Sequence, residues 1–182
     1  PPRRHRYLVL NKPRGVVSTM DDPEGRRTLV DYLPRKSERL FHIGRLDTDT
    51  EGLILLTNDG EFAHRLSHPS FEVPKTYVAE VAGVVDQRTI QRLEKGLRLD
   101  DGSVKPDRVK LLSRGESRSL LAITLHEGRN RVVRRMMDSV GHPVDRLART
   151  GIGPVRLGQL AIGTTRELTR EELGRLLDLV GM

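Results

Sequence analysis

The sequence predicts an α+β fold: a mixed, mostly antiparallel sheet with flanking helices. Three observations predict it. Short apolar runs bounded by turn residues outnumber the helical stretches. Those runs do not alternate with helices at the regular spacing of βαβ units. The runs recur with turn residues between them, as strands joined by short connections do.

In chain order, "YLVLN" (7–11) and "GLILLT" (52–57) read as strands. Asp59-Gly60 then opens either a hairpin or a helix, and 60–67 reads as a helix. "KTYVAEVAG" (75–83) alternates as a strand does, and 86–95 follows as a helix behind Asp86 as its cap. "DRVKLL" (107–112), "SLLAITLHE" (119–127) and "PVDRLAR" (143–149) complete the strands. A helix over 170–180 starts with a capping box, Thr169 with Glu172 three residues on.

The helix expected at 130–140 can be read face by face. At 100° per residue, Val132, Val133, Met136, Met137 and Val140 share a core face, and Arg131, Arg134, Arg135 and Asp138 share the other. Asn130 is placed to cap its start and Gly141 to end it. An arginine face without lysine suits bidentate contact with phosphate or carboxylate better than it suits a merely solvated surface.

A chain of 182 residues makes one domain or two closely packed lobes and can bury roughly 70% of its unfolded surface, so its core needs no staple. It has no cysteine, which excludes thiol nucleophiles, disulfides and cysteine-zinc sites and suits a reducing cytoplasm. No apolar stretch reaches the length of a membrane span. The histidines, among them His42, His64, His68, His126 and His142, show no metal-ligand spacing, so no metal is expected. Lys and Arg number 32 against 25 Asp and Glu, a formal charge of +7. The excess is clustered: 1–14 hold five basic residues and no acid, and 126–135 hold four arginines. Localised positive charge points to a polyanionic partner, nucleic acid above all.

The most informative segment is "GRLDTDTEGLILLTNDG" (44–60), with acids at alternate positions 47, 49 and 51 ahead of an apolar run. A twelve-residue calcium loop starting at Asp47 would end at Asn58, where that site needs a bidentate Glu, and "LILL" reads as strand within it. The remaining readings are a structural acidic turn and a carboxylate held rigidly before a buried strand, as a nucleophile or general base would be.

This segment resembles the hallmark segment of bacterial rRNA pseudouridine synthases of the RsuA/RluB type. "LNKPRGVVST" (10–19), "PKTYVAEVAG" (74–83), "EGRNRVVRRMMDSVGHPV" (127–144) and "GIGPVRLGQL" (151–160) resemble the same family in the same order. The resemblance covers nearly the whole chain as one catalytic domain and implies a fold with a central RNA-binding cleft. In one departure from the family, the small RNA-binding domain that many relatives carry ahead of "LNKP" is expected to be absent from this chain. The resemblance implies isomerisation of a uridine in ribosomal RNA, 23S favoured over 16S by analogy with other members, with no cofactor, in the cytoplasm and as a monomer. The substrate is ribosomal RNA or a ribosomal subunit assembly intermediate. Asp47 is then the catalytic aspartate, and the resemblance leaves open whether it adds to C1′ or assists removal of a C2′ proton. Tyr77 is the tyrosine against the uracil face, and Arg134 the arginine that pairs with the catalytic carboxylate. Arg45 is the basic residue that helps extrude the base, and Lys12, Arg129, Asn130 and Arg131 are RNA backbone contacts. The competing reading is a non-catalytic RNA-binding module of ribosome assembly, which needs the arginines but not the aspartate.

Overall fold

The computed structural model describes residues 4–34, 39–129 and 131–182. The chain divides into two compact units, residues 1–73 with 150–182, and residues 74–149.

The first unit opens with β1 (Tyr7–Lys12), β2 (Phe41–Ile43), β3 (Glu51–Thr57) and α1 (Gly60–Ser67). β1 pairs antiparallel with β3, from Tyr7 opposite Thr57 to Lys12 opposite Gly52, and β2 pairs antiparallel with the end of β3. Every residue of β3 is buried. That explains its unbroken apolar run, because a strand covered on both faces has no polar side to show. One face, with Leu53 and Leu55, packs with Val9, Phe62, Leu66 and Leu176. The other, with Ile54 and Leu56, packs with Leu10, Val16, Leu29 and Leu46. Asp59 resolves the choice between hairpin and helix: its side chain accepts the Phe62 N–H and caps α1.

The second unit contains β4 (Lys75–Ala82), α2 (Gln87–Lys95), β5 (Leu97–Leu99), β6 (Gly102–Val104), β7 (Arg108–Arg114), β8 (Arg118–Leu125), α3 (Val132–Ser139) and the first part of β9 (Val144–Ile152). Its strand order is β9-β4-β8-β7, with β5 and β6 as a separate hairpin. On β4, Tyr77, Ala79 and Val81 face a core built with Ile90 and Leu93 of α2 and with Val132, Val133, Met136 and Met137 of α3. The period-2 and period-3.6 patterns thus meet in one layer. Asp86 caps α2 through the Thr89 N–H, as expected.

The chain returns to the first unit with the end of β9, then β10 (Val155–Arg156), β11 (Thr165–Glu167) and α4 (Arg170–Leu179). Strand order there is β11-β1-β3-β9. The capping box at Thr169 and Glu172 is present. The registered strand pairs are antiparallel, and an isolated parallel bridge joins Val17 to Thr28. Four helices and this sheet make the α+β class expected.

The departures from expectation are local. β2, β10, β11 and the β5–β6 hairpin were not expected, being only two or three residues long. α3 starts at Val132 with Arg131 as its cap residue at φ +52°; the cap expected at Asn130 lies outside the described residues. The calcium reading fails on geometry as well as sequence, since residues 51–57 are a strand and not a loop.

Candidate active site

In the first unit, Asp47 opens a tight turn in which the Thr50 N–H donates to the Asp47 carbonyl at 2.9 Å. Leu46 before it is 5% exposed, in the core layer with Val16 and Ile54. β3 after it is buried from its first residue. The aspartate is therefore carried on a short turn between two anchored points, and is itself half-buried.

The loop after β1 holds that turn from behind. The buried Ser18 hydroxyl donates to the Leu46 carbonyl at 2.6 Å and accepts the Leu46 N–H at 3.0 Å. The Gly15 N–H donates to the Thr48 carbonyl at 2.7 Å. Gly15 makes this approach at φ +90°, a conformation in which a side chain would be strained. Two loops far apart in sequence thus form one backbone-bonded support for Asp47.

Lys12, at the end of β1, has no exposed surface. Its Nζ donates to the carbonyls of Val16 at 2.7 Å and Pro13 at 3.1 Å. Burial lowers its pKa to about 8, against the opposing pull of the Asp47, Asp49 and Glu51 carboxylates. The expectation that Lys12 contacts the RNA backbone is corrected: a fully buried ammonium bonded to two carbonyls is not on a binding surface. It is protonated at neutral pH and is an internal cation of the Asp47 loop. Arg45, two residues before Asp47, is exposed.

In the second unit, Tyr77 lies on the inward row of β4 and is 9% exposed. Arg134 is also 9% exposed, so it leaves the solvent-facing row on which helical spacing places it beside Arg131, which is exposed. Arg129 is a staple. Its Nε bonds Glu127, its NH1 group bonds the Asp101 carboxylate at 3.2 Å, and its NH2 group bonds the Ser103 carbonyl at 2.7 Å. Arg135 grips the same Asp101 with both terminal nitrogens, at 2.9 and 3.1 Å. These contacts hold the Asp101 carboxyl below its usual range, the Arg135 hydrogen bonds first. Asn130 lies outside the described residues.

Sequence reasoning missed Asp101, which lies in the turn of the β5–β6 hairpin. It also missed Ser18, for which no local signal exists, and Lys75. Lys75 is half-buried, and burial first and the Arg149 charge second lower its pKa. Among the described residues, no group of His, Asp and Glu could hold a metal ion, and no helix is long and apolar enough to cross a membrane.

Comparison with known proteins gives a consistent result. Residues 6–139 match the family model for RNA pseudouridylate synthase. An uncharacterized RNA pseudouridine synthase of Mycobacterium tuberculosis is 51% identical over 97% of this chain and 70% of its own length. Ribosomal large subunit pseudouridine synthase B of Bacillus subtilis is 46% identical over 93% of this chain and 70% of its own. A crystal structure of a pseudouridylate synthase superposes with a TM-score of 0.85 at 34% identity, covering 95% of this chain and 74% of that one. The archaeal box H/ACA Nop10–Cbf5 complex shares the fold, at 21% identity and a TM-score of 0.60 over 97% of this chain and 53% of that one.

Proposed function

This chain belongs to the RNA pseudouridylate synthase family, and we propose that it isomerises a uridine of ribosomal RNA to pseudouridine, with large-subunit (23S) RNA as the target and Asp47 as the catalytic carboxylate. The ribosomal assignment is supported by 46% identity to a relative named for the ribosomal large subunit. The substrate is ribosomal RNA, free or within an assembling subunit.

The observation that carries the reading is the Asp47 turn. A half-buried aspartate stands on a turn anchored on both sides, by the Ser18 hydroxyl on Leu46 and the Gly15 N–H on Thr48, and is accompanied by the buried Lys12 ammonium. The isomerisation breaks the N1–C1′ bond, turns the uracil and forms a C5–C1′ bond; C5 gives up its proton and N1 gains one. No electrons enter or leave, so no redox partner is needed. Whether Asp47 adds to C1′ or helps remove a C2′ proton, the carboxylate must be ionised and correctly aimed. The anchored turn supplies aim without reorganisation.

The target base must leave its stack to reach any such carboxylate. Arg45, exposed beside Asp47, is proposed to assist that extrusion, and Arg131 to contact the backbone. Tyr77 is proposed to take the uracil face and assist proton movement at C5, and Arg134 to pair with the catalytic carboxylate. These roles rest on the match of "PKTYVAEVAG" and "EGRNRVVRRMMDSVGHPV" to the family, and the burial of Arg134 agrees with service to a carboxylate more than to bulk phosphate.

The test is tritium release from ribosomal RNA labelled at uracil C5. Asp47→Asn keeps the side chain's shape and removes its charge; release should fall to background while RNA affinity stays within about tenfold, because phosphate contacts dominate affinity. Near-normal release by Asp47→Asn refutes the catalytic assignment. No release by the unaltered chain, with RNA binding intact, favours a non-catalytic RNA-binding module instead.

A further inference from the structure

We propose that Arg14 and Arg27 join Arg45 in a cationic rim around the Asp47 turn, and that this rim binds the phosphate backbone of the RNA substrate. The proposal rests on the RNA-modifying reading above and adds to it the two residues Arg14 and Arg27.

The three arginines are far apart in sequence, but backbone bonds within the first unit interlock the segments that carry them. Gly15, next to Arg14, donates to the carbonyl of Thr48, next to Asp47. Ser18 makes two bonds to Leu46, between Arg45 and Asp47. The Val17 N–H donates to the Arg27 carbonyl at 3.0 Å, and the Leu29 N–H donates to the Thr19 carbonyl at 3.1 Å. The parallel bridge between Val17 and Thr28 sets the segment of Arg27 beside that of Arg14, and the Gly15 and Ser18 bonds set the latter against Arg45 and Asp47. Arg14, Arg27 and Arg45 therefore stand on adjacent backbone strips around one turn, and all three are exposed.

Charge on this loop is distributed selectively. Arg26 is neutralised: its Nε lies 2.8 Å from Asp22 and 3.3 Å from Glu24, and its own N–H also bonds Asp22. Arg27, one residue on, donates to the uncharged Tyr32 hydroxyl at 3.3 Å. Asp31, whose charge acts on it, is engaged with the Thr28 N–H at 2.9 Å. Lys12, at the head of this loop, is buried. Arg14, Arg27 and Arg45 thus present planar guanidinium forks, the geometry suited to phosphate oxygens.

The experiment measures binding of the full chain to a ribosomal RNA fragment as log affinity against log salt, with KM from tritium release alongside. Arg14→Gln and Arg27→Gln should each lower the slope by about 0.7–0.9, one phosphate contact apiece, and raise KM more than they lower kcat. Arg26→Gln, adjacent but already paired, should change neither quantity. Arg27→Lys, which keeps the charge, should retain the slope and so separates charge from any disturbance of the loop. Slopes for Arg14→Gln and Arg27→Gln equal to that of Arg26→Gln overturn the rim. Because the slope is read from binding, it reports on the rim even if the unaltered chain released no tritium, the outcome that would sink the catalytic reading.

Discussion

Lys12 shows how burial and charge compete at one residue. Three carboxylates act to raise its pKa, and burial outweighs them, leaving it at about 8 against an ordinary lysine value of 10.5. A lysine whose pKa is lower in the folded state binds fewer protons there than in the unfolded chain between those values. Its contribution to stability therefore rises with pH from about 8 to about 10.5, and below about 8 the cost of the buried charge is felt in full. Lys12→Met should remove that rise. The check is the difference in urea-derived stability between the unaltered chain and Lys12→Met across pH 7.5–10.5, a window of about 3 kcal/mol at most. The slope is the decisive quantity, because methionine also leaves the Val16 and Pro13 carbonyls without their donor. A difference that does not vary with pH would show that Lys12 titrates as an ordinary lysine.

The elements divide into those held by core packing and those held by charge. α4 owes its start to the Thr169 box and its position to Leu176 and Val180 in the core. The β5–β6 hairpin has three residues in each strand, too few to be stable alone. It contributes Leu97 and Val104 to the core of the second unit, and its turn is tied to the start of α3 by Arg129 and Arg135 on Asp101. Asp101→Ala should leave the core in place and loosen the tie. Hydrogen exchange should then accelerate at the amides of residues 97–104, with the β4 and β8 amides unchanged. Uniform acceleration across the second unit would mean that Asp101 supports the whole unit and not the hairpin.

At the scale of the whole molecule the governing quantity is the net charge of +7 and which of its members face solvent. Binding of RNA should weaken steeply with salt. Equal density in sequence does not mean equal service, because Arg129 has its nitrogens on Glu127, Asp101 and Ser103, whereas Arg131 is exposed. Arg131→Ala should lower the salt slope by about 0.7–0.9, and Arg129→Ala should do so less while reducing thermal stability more. Equal slopes for the two variants would show that RNA draws Arg129 away from its staple.

What the sequence by itself determined is the content of each local pattern. The caps at Asp86 and Thr169 were legible because a cap is a contact between residues three apart. The core face of α3 was legible because its period is set by backbone geometry. The Asp47 segment was legible because its resemblance is long and contiguous. Only the tertiary structure decided which charged side chains remain outside. Lys12 and Arg129 read from sequence as surface cations, yet one is buried against carbonyls and the other bonded to a hairpin that short strands left invisible. It also decided that Ser18 and Gly15 support Asp47 from nearly thirty residues or more away. Burial and long-range hydrogen bonds depend on which segments the fold brings together, and periodicity along a single chain carries no record of that.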